Sequence, residues 1–197
     1  ETALKDNIAD KNAFIIDKLI QANYFISGKA NLSEWANFRS EDSVSGWSSY
    51  GGQTMHFNDD EFNPCGSSSG SAVAVATGLV DIAIGTETNG SISCPSSING
   101  IVGMKPTTGL VSRSGIIPIS ASQDTAGPMG KNVAIVAKTL EAISGVDTND
   151  RSTLLIPDDF DFNFTIAVKN KRLDGLRFGL LNSCLLYTSD AADDMQC

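Results

Sequence analysis

Two turns rich in glycine and serine carry the residues of this sequence that are best suited to chemistry. The first covers residues 65–71 (CGSSSGS) and the second covers residues 86–93 (TETNGSIS). A serine hydroxyl becomes an effective nucleophile when a base takes its proton and fixed donors stabilise the oxyanion. Ser91 is the candidate nucleophile, because the surrounding turn can aim successive backbone N–H groups at one point. The expected oxyanion-hole donors are the N–H groups of Thr88, Asn89, Gly90 and Ser91.

The segment between the two turns determines whether they can meet. Residues 69–79 are rich in alanine and valine and contain a stop signal at Gly78, so they predict a buried helix about 16 Å long. Residues 80–85 predict a buried strand that returns by about 17–20 Å. Because the two paths nearly cancel, we expect the second turn to lie beside Ser67. Ser67 would then relay the proton of Ser91.

At these residues the sequence resembles the amidase signature family, whose members carry a GGSSGGS-like turn, then GTDTGGSI, then GxVGLKPT. The matching runs are CGSSSGS, GTETNGSI and GIVGMKPT, in the same order and at the family's serine spacing. The resemblance extends from about residue 13 to residue 147, and the flanks NLSEWANFRS, GWSSYGGQT and SQDTAGPM are most similar to peptide-amidase-type members. It implies a Ser–cis-Ser–Lys triad that hydrolyses amides, with Ser91 as the nucleophile and Ser67 as the cis-peptide serine.

The second turn departs from the family pattern at three positions. Members commonly have aspartate and arginine where this sequence has Glu87 and Ser93, and glycine where it has Asn89. The supporting ion pair of the family is therefore not expected, although Glu87 can still accept hydrogen bonds. Asn89 keeps its backbone N–H and tolerates unusual φ values better than most residues.

The family mechanism also requires a neutral, desolvated lysine that draws the proton from the cis-serine. Lys5 stands in a KDN context that family members often show, but it is closer in sequence to Ser91 than the family's lysine usually is. We therefore expect Lys5 to be solvated and the catalytic lysine to lie upstream of Glu1. The 197-residue chain would then be a fragment without amidase activity.

Other interpretations of the serine-rich turns compete with catalysis. Turns of this composition are more often linkers or helix caps. Residues 66–70 also fit the G-x-S-x-G nucleophile elbow with Ser68 as nucleophile, but that triad needs a later histidine, and the only histidine, His56, comes earlier. We expect His56 to be a solvated loop residue. No Gly-Lys-Ser/Thr follows the first turn, which excludes a phosphate-binding P-loop.

Composition narrows the remaining function classes. A net charge of −9 argues against binding to nucleic acid or an anionic membrane, and no apolar run is long enough to span a bilayer. The four cysteines have no CxxC spacing, so neither a metal site nor a redox motif is predicted, and no cofactor is predicted. Cys65 and Cys94 are expected to act as small buried hydrophobes. No signal peptide opens the chain, which favours a cytoplasmic location without establishing it, and the oligomeric state is not predicted.

Periodicity and capping signals place the other elements. Helices are predicted at residues 12–23 with Asn12 as N-cap and at residues 132–144, and a short capped helix is predicted to begin at residues 31–35. Strands are predicted at residues 24–28, within residues 111–119 and at residues 176–181. Trp35 and Phe38 are assigned to the core, and residues 122–128 to a polar turn that, by the resemblance, forms part of the site wall.

Alternating helices and strands, together with the family fold, predict an α/β architecture with a mixed β-sheet covered by helices. Residues 1–183 are assigned to a partial amidase domain and residues 184–197 to a non-native tail derived from a sequencing adapter. The predicted function is an amidohydrolase that cleaves a carboxylic or peptide amide through a serine acyl-enzyme. The alternatives are the amidase subunit of a tRNA-dependent amidotransferase and a non-catalytic homologue that only binds amides or partners.

Overall fold

A computed structural model describes residues 5–169, 174–177 and 179 of the chain. The strand predicted at residues 176–181 lies largely outside these described residues, and the tail predicted at residues 184–197 lies wholly outside them.

Short helices and strands alternate along the described chain, which confirms the α/β class. The α-helices are α1 (Phe14–Gln21), α2 (Ser69–Ala76), α3 (Ser93–Ile98), α4 (Val133–Ile143) and α5 (Phe164–Lys169), and 3-10 helices cover Glu34–Asn37 and Arg151–Leu155. The strands are β1 (Trp47–Ser48), β2 (Gly52–Gln53), β3 (Ile82–Glu87), β4 (Val102–Gly103) and β5 (Thr125–Gly130). Within this part of the chain, no helix combines the length and the apolar character needed to cross a membrane.

The central sheet has the strand order β3-β5-β4, and its pairs are antiparallel. β3 pairs with β5 along its whole length, from Ile82 opposite Gly130 to Glu87 opposite Thr125. All six residues of β5 are buried. A side chain at Gly127 would collide with the backbone oxygen of Met104, so glycine is needed for this close approach.

The helix and strand between the two serine-rich turns form as predicted, with shifted boundaries. α2 ends at Ala76 rather than near Leu79, because the N–H groups of Gly78 and Val80 bond back to helix carbonyls at 3.0 and 3.2 Å. This turn delays the strand, so that β3 begins at Ile82 instead of residue 80. Ala72 of α2 packs with two further fully buried residues, Ile92 and Met129, and thereby holds the helix against the sheet.

A second cluster of buried residues packs α1 and α4 together, and its members are Ile15, Leu19, Val111, Ala126, Leu140 and Ile143. The predicted cap of α4 is confirmed, since Asn132 Oδ1 accepts a hydrogen bond from Ile135 N at 3.0 Å. The predicted cap of α1 is wrong. Its N-cap is Ala13, and the Asn12 side chain donates instead to Asp17 Oδ1 at 2.8 Å.

Two predicted strands are not formed. Residues 24–28 have no strand partner, and Tyr24 reaches α4 through its hydroxyl, 3.1 Å from Thr139 Oγ1. Residues 111–119 form a loop with one isolated bridge, between Val111 and Ser144. The polar groups of this loop bond to carboxylates instead of a neighbouring strand: Arg113 N and Nε both donate to Asp150 Oδ2 at 2.9 Å. The Arg113 guanidinium thereby holds the pKa of Asp150 well below its usual range.

Candidate active site

The fold brings the two serine-rich turns together, as their spacing predicted. Ser68 N donates to Ser91 O at 3.1 Å, and Thr86 N donates to Ser68 Oγ at 3.1 Å. Ser68 Oγ in turn donates to Thr86 O at 3.1 Å. Ser68 is therefore buried between the two turns and bonded to the second one, and its hydroxyl already has hydrogen-bond partners. This bonding disfavours Ser68 as the nucleophile of a G-x-S-x-G elbow.

Ser67 and Ser91 lie beside these contacts of Ser68, and neither hydroxyl has a hydrogen-bond partner among the described residues. The Gly66–Ser67 peptide bond is cis, as the family resemblance implied. Ser67 is 1% exposed, and its Oγ has no hydrogen-bond partner among the described residues. No partner is found there for the half-buried Ser91 hydroxyl either. Both serines line one cavity of about 380 Å³.

A disulfide joins the two turns, so the prediction for the cysteines is wrong. Cys65, just before Gly66–Ser67, is bonded to Cys94, which follows Ser91 in α3, with 5.9 Å between the Cα atoms. Both residues are half-buried. The cysteines meet because the same out-and-back path that brings the serines together also brings their flanking residues together. The link ties the Ser67 turn directly to the Ser91 turn.

Glu87 organises the backbone around Ser91. This residue is 6% exposed; its Oε1 accepts from Gly90 N at 2.9 Å, and its Oε2 accepts from Ile92 N and Ser93 N at 2.7 and 2.8 Å. Burial alone would raise the pKa of Glu87, but these N–H groups and the nearby Lys105 ammonium hold the pKa below its ordinary value. The predicted role of Glu87 as a hydrogen-bond acceptor is confirmed.

This bonding changes the expected set of oxyanion donors. The Gly90 N–H is already used by Glu87 and therefore does not point freely into the cavity. The N–H groups of Thr88, Asn89 and Ser91 have no acceptor among the described residues. They remain the candidate donors for a developing negative charge.

Two side chains that the sequence analysis did not single out brace Thr88. Its carbonyl oxygen accepts from Lys105 Nζ at 2.6 Å, and its hydroxyl donates to Asp124 Oδ1 at 2.6 Å. Burial raises the pKa of Asp124, but the hydrogen bonds from Thr88 and from backbone N–H groups outweigh it and lower the pKa overall. Lys105 and Asp124 stand in the GIVGMKPT and SQDTAGPM runs, so the family motifs were the signal that could have identified them.

One wall of the serine cavity contains Ala36 and Asn37 of the 3-10 helix Glu34–Asn37. This helix forms where residues 31–35 predict the start of a short capped helix, but it has no side-chain cap and its backbone is left-handed. Trp35, Ala36 and Asn37 have φ values of 48°, 56° and 63°, in a region that non-glycine residues rarely adopt. The core assignment of Trp35 and Phe38 is wrong, since Phe38 is 64% exposed and both line a wider, mostly apolar cavity of about 520 Å³. This wider cavity shares Phe38, Thr86 and Thr88 with the serine cavity.

Asn31 makes several hydrogen bonds near the site that the sequence did not predict. Its Oδ1 accepts from Ser48 Oγ at 2.7 Å, while its Nδ2 donates to the oxygens of Gly46 and Gly52 at 3.2 and 3.0 Å. Its carbonyl oxygen accepts from Gly70 N at 2.9 Å, at the start of α2. Asn31 thus fixes the β1–β2 hairpin to the helix that follows the Ser67 turn.

The remaining candidates lie away from the serine cavity. His56 is half-buried rather than solvated, since its ring contacts Phe57 and Phe62 and its Nε2 lies 3.2 Å from Ile98 O. Lys5 is exposed, as predicted. The described residues that line the serine cavity include no lysine. Across the described ranges, no group of three His, Cys, Asp or Glu side chains could hold a metal ion.

Serine acyl transfer needs a hydroxyl nucleophile, a proton relay and oxyanion donors, and the Ser67 and Ser91 hydroxyls with the free N–H groups at this cavity have the chemistry for these roles. The chain belongs to the amidase family, whose model matches residues 1–195. A putative amidase from Schizosaccharomyces pombe is 43% identical over 182 residues, which cover 90% of this chain and 31% of that protein. A glutamyl-tRNA(Gln) amidotransferase subunit from Staphylococcus epidermidis is 44% identical over 166 residues, which cover 84% of this chain and 32% of that protein.

The fold agrees with solved structures of this family. The native peptide amidase from Stenotrophomonas maltophilia superposes with a TM-score of 0.79 at 55% identity, over 81% of this chain and 33% of that enzyme. The resemblance to peptide-amidase-type members is thus confirmed. The chain spans about a third of the length of the relatives it matches.

Proposed function

We propose that the intact protein is an amidohydrolase that cleaves a carboxylic or peptide amide through an acyl-enzyme on Ser91. The observation that carries this proposal is the pair of uncommitted hydroxyls, Ser67 and Ser91, in one cavity beside free backbone donors. Membership of the amidase family and the likeness to a peptide amidase support the choice of an amide as substrate.

In the proposed reaction, Ser91 Oγ attacks the amide carbonyl carbon while its proton passes to Ser67 Oγ. The carbonyl electron pair moves onto the oxygen, where the N–H groups of Thr88, Asn89 and Ser91 stabilise the negative charge. The C–N bond then breaks, and the leaving nitrogen takes a proton from Ser67. Water attacks the acyl group by the reverse sequence, which releases the acid and frees Ser91.

Ser67 can relay a proton only if another group takes or supplies it. The family resemblance assigns this role to a lysine, which would have to be neutral and desolvated to act as a base. The described residues that line the serine cavity include no lysine, and Lys105 is bonded to Thr88 O and lies 3.9 Å from Glu87. We therefore place the base in another part of the intact protein.

The 44% identity to a glutamyl-tRNA(Gln) amidotransferase component supports a second candidate. Such a component would release ammonia for delivery to a partner. Free-amide hydrolysis by the isolated protein distinguishes the two functions, because an amidohydrolase needs no other protein.

The test is ammonia release from a panel of primary carboxylic amides and peptide amides, N-acetyl-phenylalaninamide among them. We expect the intact protein to turn over members of this panel, and we expect Ser67→Ala to lower kcat by about 10²–10⁴-fold because proton transfer is lost. The melting temperature should not change, since the Ser67 hydroxyl bonds to no described residue.

Three results would contradict the proposal. Parallel loss of melting temperature and activity in Ser67→Ala would show a structural serine. Ammonia release only with added partner proteins would identify an amidotransferase component. No turnover under either condition would identify a non-catalytic homologue.

A further inference from the structure

Asn37 is a buried hydrogen-bond acceptor without a donor, at the wall of the serine cavity. Its Oδ1 is buried and has no partner among the described residues, although its Nδ2 donates to Ser45 Oγ at 3.0 Å. Asn37 lines the same cavity as Ser67 and Ser91. Buried polar atoms are nearly always hydrogen-bonded, so an unmatched acceptor on a residue that lines a cavity favours a ligand that brings an N–H or O–H group.

The backbone around Asn37 holds this acceptor in place. Asn37 has a φ of 63°, which asparagine tolerates better than most residues, and its carbonyl oxygen accepts from Ser43 Oγ at 3.3 Å. Trp35 and Ala36 share the left-handed conformation, which is strained for both. A turn kept in this conformation aims the residue that follows it, and here that residue is Asn37.

The Asn37 turn is attached to the Ser67 side of the site. Ser33 N donates to Ser67 O at 3.1 Å, and Ser33 O accepts from Ala36 N at 2.9 Å. The candidate oxyanion donors belong instead to the Thr88–Ser91 turn. A substrate carbonyl oxygen held by those donors therefore leaves the amide nitrogen to the side where Ser67 and Asn37 lie.

We propose that Asn37 is a specificity-determining residue that accepts a hydrogen bond from the N–H of the scissile amide. This inference rests on the proposed amidohydrolase function. In the tetrahedral intermediate the nitrogen lone pair is no longer delocalised, and Asn37 Oδ1, by holding one N–H, turns that lone pair toward Ser67 Oγ, which must protonate it before the C–N bond breaks. The site then favours amides that carry an N–H over esters and tertiary amides, which have none.

The test compares one acyl group in two substrates: the panel amide that the intact protein hydrolyses fastest, and the methyl ester of the same acid. Asn37→Gly removes the acceptor but suits a positive φ, and Asn37→Asp keeps an acceptor oxygen. We expect Asn37→Gly to lower the amide-to-ester ratio of kcat/KM about tenfold, the loss of one hydrogen bond, and Asn37→Asp to restore most of that ratio.

Gln123→Ala is the matched control, because it removes another polar side chain from the same cavity. In this variant the amide-to-ester ratio should equal that of the parent. An unchanged amide-to-ester ratio in Asn37→Gly would overturn the inference. If both rates fell by the same factor, the result would show that Asn37 has a structural role instead. A parent that hydrolyses neither substrate would overturn the proposed function as well, whereas an active parent with an unchanged ratio would overturn the role of Asn37 alone.

Discussion

Glu87 shows how a single side chain shapes the candidate site. Its carboxylate accepts hydrogen bonds from the N–H groups of Gly90, Ile92 and Ser93, so the backbone on both sides of Ser91 is bonded to Glu87. The family pattern has aspartate at the position of Glu87 and arginine at that of Ser93. In this chain the Ser93 N–H and hydroxyl both lie within hydrogen-bond distance of Glu87, and Lys105 provides the nearby positive charge. Local bonds thus hold the turn without an arginine at residue 93.

Glu87→Gln is expected to disturb this turn although it conserves size. A glutamine keeps one acceptor oxygen but points an NH₂ group at backbone N–H groups on the other side, which leaves buried donors unpaired. We expect the free energy of unfolding to fall by about 1–3 kcal/mol and kcat to fall with it. Urea unfolding and amide turnover measure the two effects. Glu61→Gln, the same change at an exposed loop residue, should alter neither, and a wild-type kcat in Glu87→Gln would contradict the organising role of the carboxylate.

The pKa of Glu87 also sets the pH range of this contribution. Because its pKa is lower in the folded protein than in the unfolded chain, the stabilisation is complete above the unfolded pKa of about 4.3. The stabilisation is lost as the pH falls through the folded pKa. The stability difference between parent and Glu87→Gln should therefore be constant near pH 7 and shrink in acid.

At the scale of elements, the parts defined by local signals were predictable and the parts defined by distant contacts were not. α4 and its Asn132 cap follow from periodicity and capping chemistry, and α2 and β3 differ from prediction by a few residues. The left-handed backbone of Glu34–Asn37 could not be predicted, since it is held by contacts outside the segment, from Ser33 N to Ser67 O and from Asn37 Nδ2 to Ser45 Oγ. The loop at residues 111–119 carries strand-like residues, but Arg113 within it donates hydrogen bonds to the Asp150 carboxylate instead of to a neighbouring strand.

The Cys65–Cys94 disulfide connects the elements that carry the two serines. Replacing both cysteines by alanine should lower the free energy of unfolding by about 3 kcal/mol, because the unfolded chain loses a covalent loop. The Ser67 and Ser91 turns should then hold their relative position less well, so amide turnover should also fall. Thermal unfolding with and without a thiol reductant measures the effect. Reductant should destabilise the parent and leave the double variant unchanged, and a parent insensitive to full reduction would contradict this role.

At the scale of the whole molecule, residues from distant parts of the chain meet at one end of the central sheet. β3 delivers Glu87 and β5 begins at Thr125, directly after Asp124, so the paired strands place the Ser91 turn next to its brace. The serine pair could be predicted because family motifs mark it in the sequence. Lys105 and Asp124 also stand in family motifs, but the partners that they bond, like the position of Asn37 beside the cavity, depend on which groups the fold brings together.

Whether Ser91 is the nucleophile is tested most directly by covalent labelling of the intact protein with a fluorophosphonate probe, followed by mass spectrometry of the labelled peptide. Among the described residues, Ser91 is the hydroxyl that combines partial exposure, no hydrogen-bond partner and adjacent free N–H donors. We expect the label on Ser91 in the parent and no label in Ser91→Ala. A label on another residue, or labelling that persists in Ser91→Ala, would contradict the assignment.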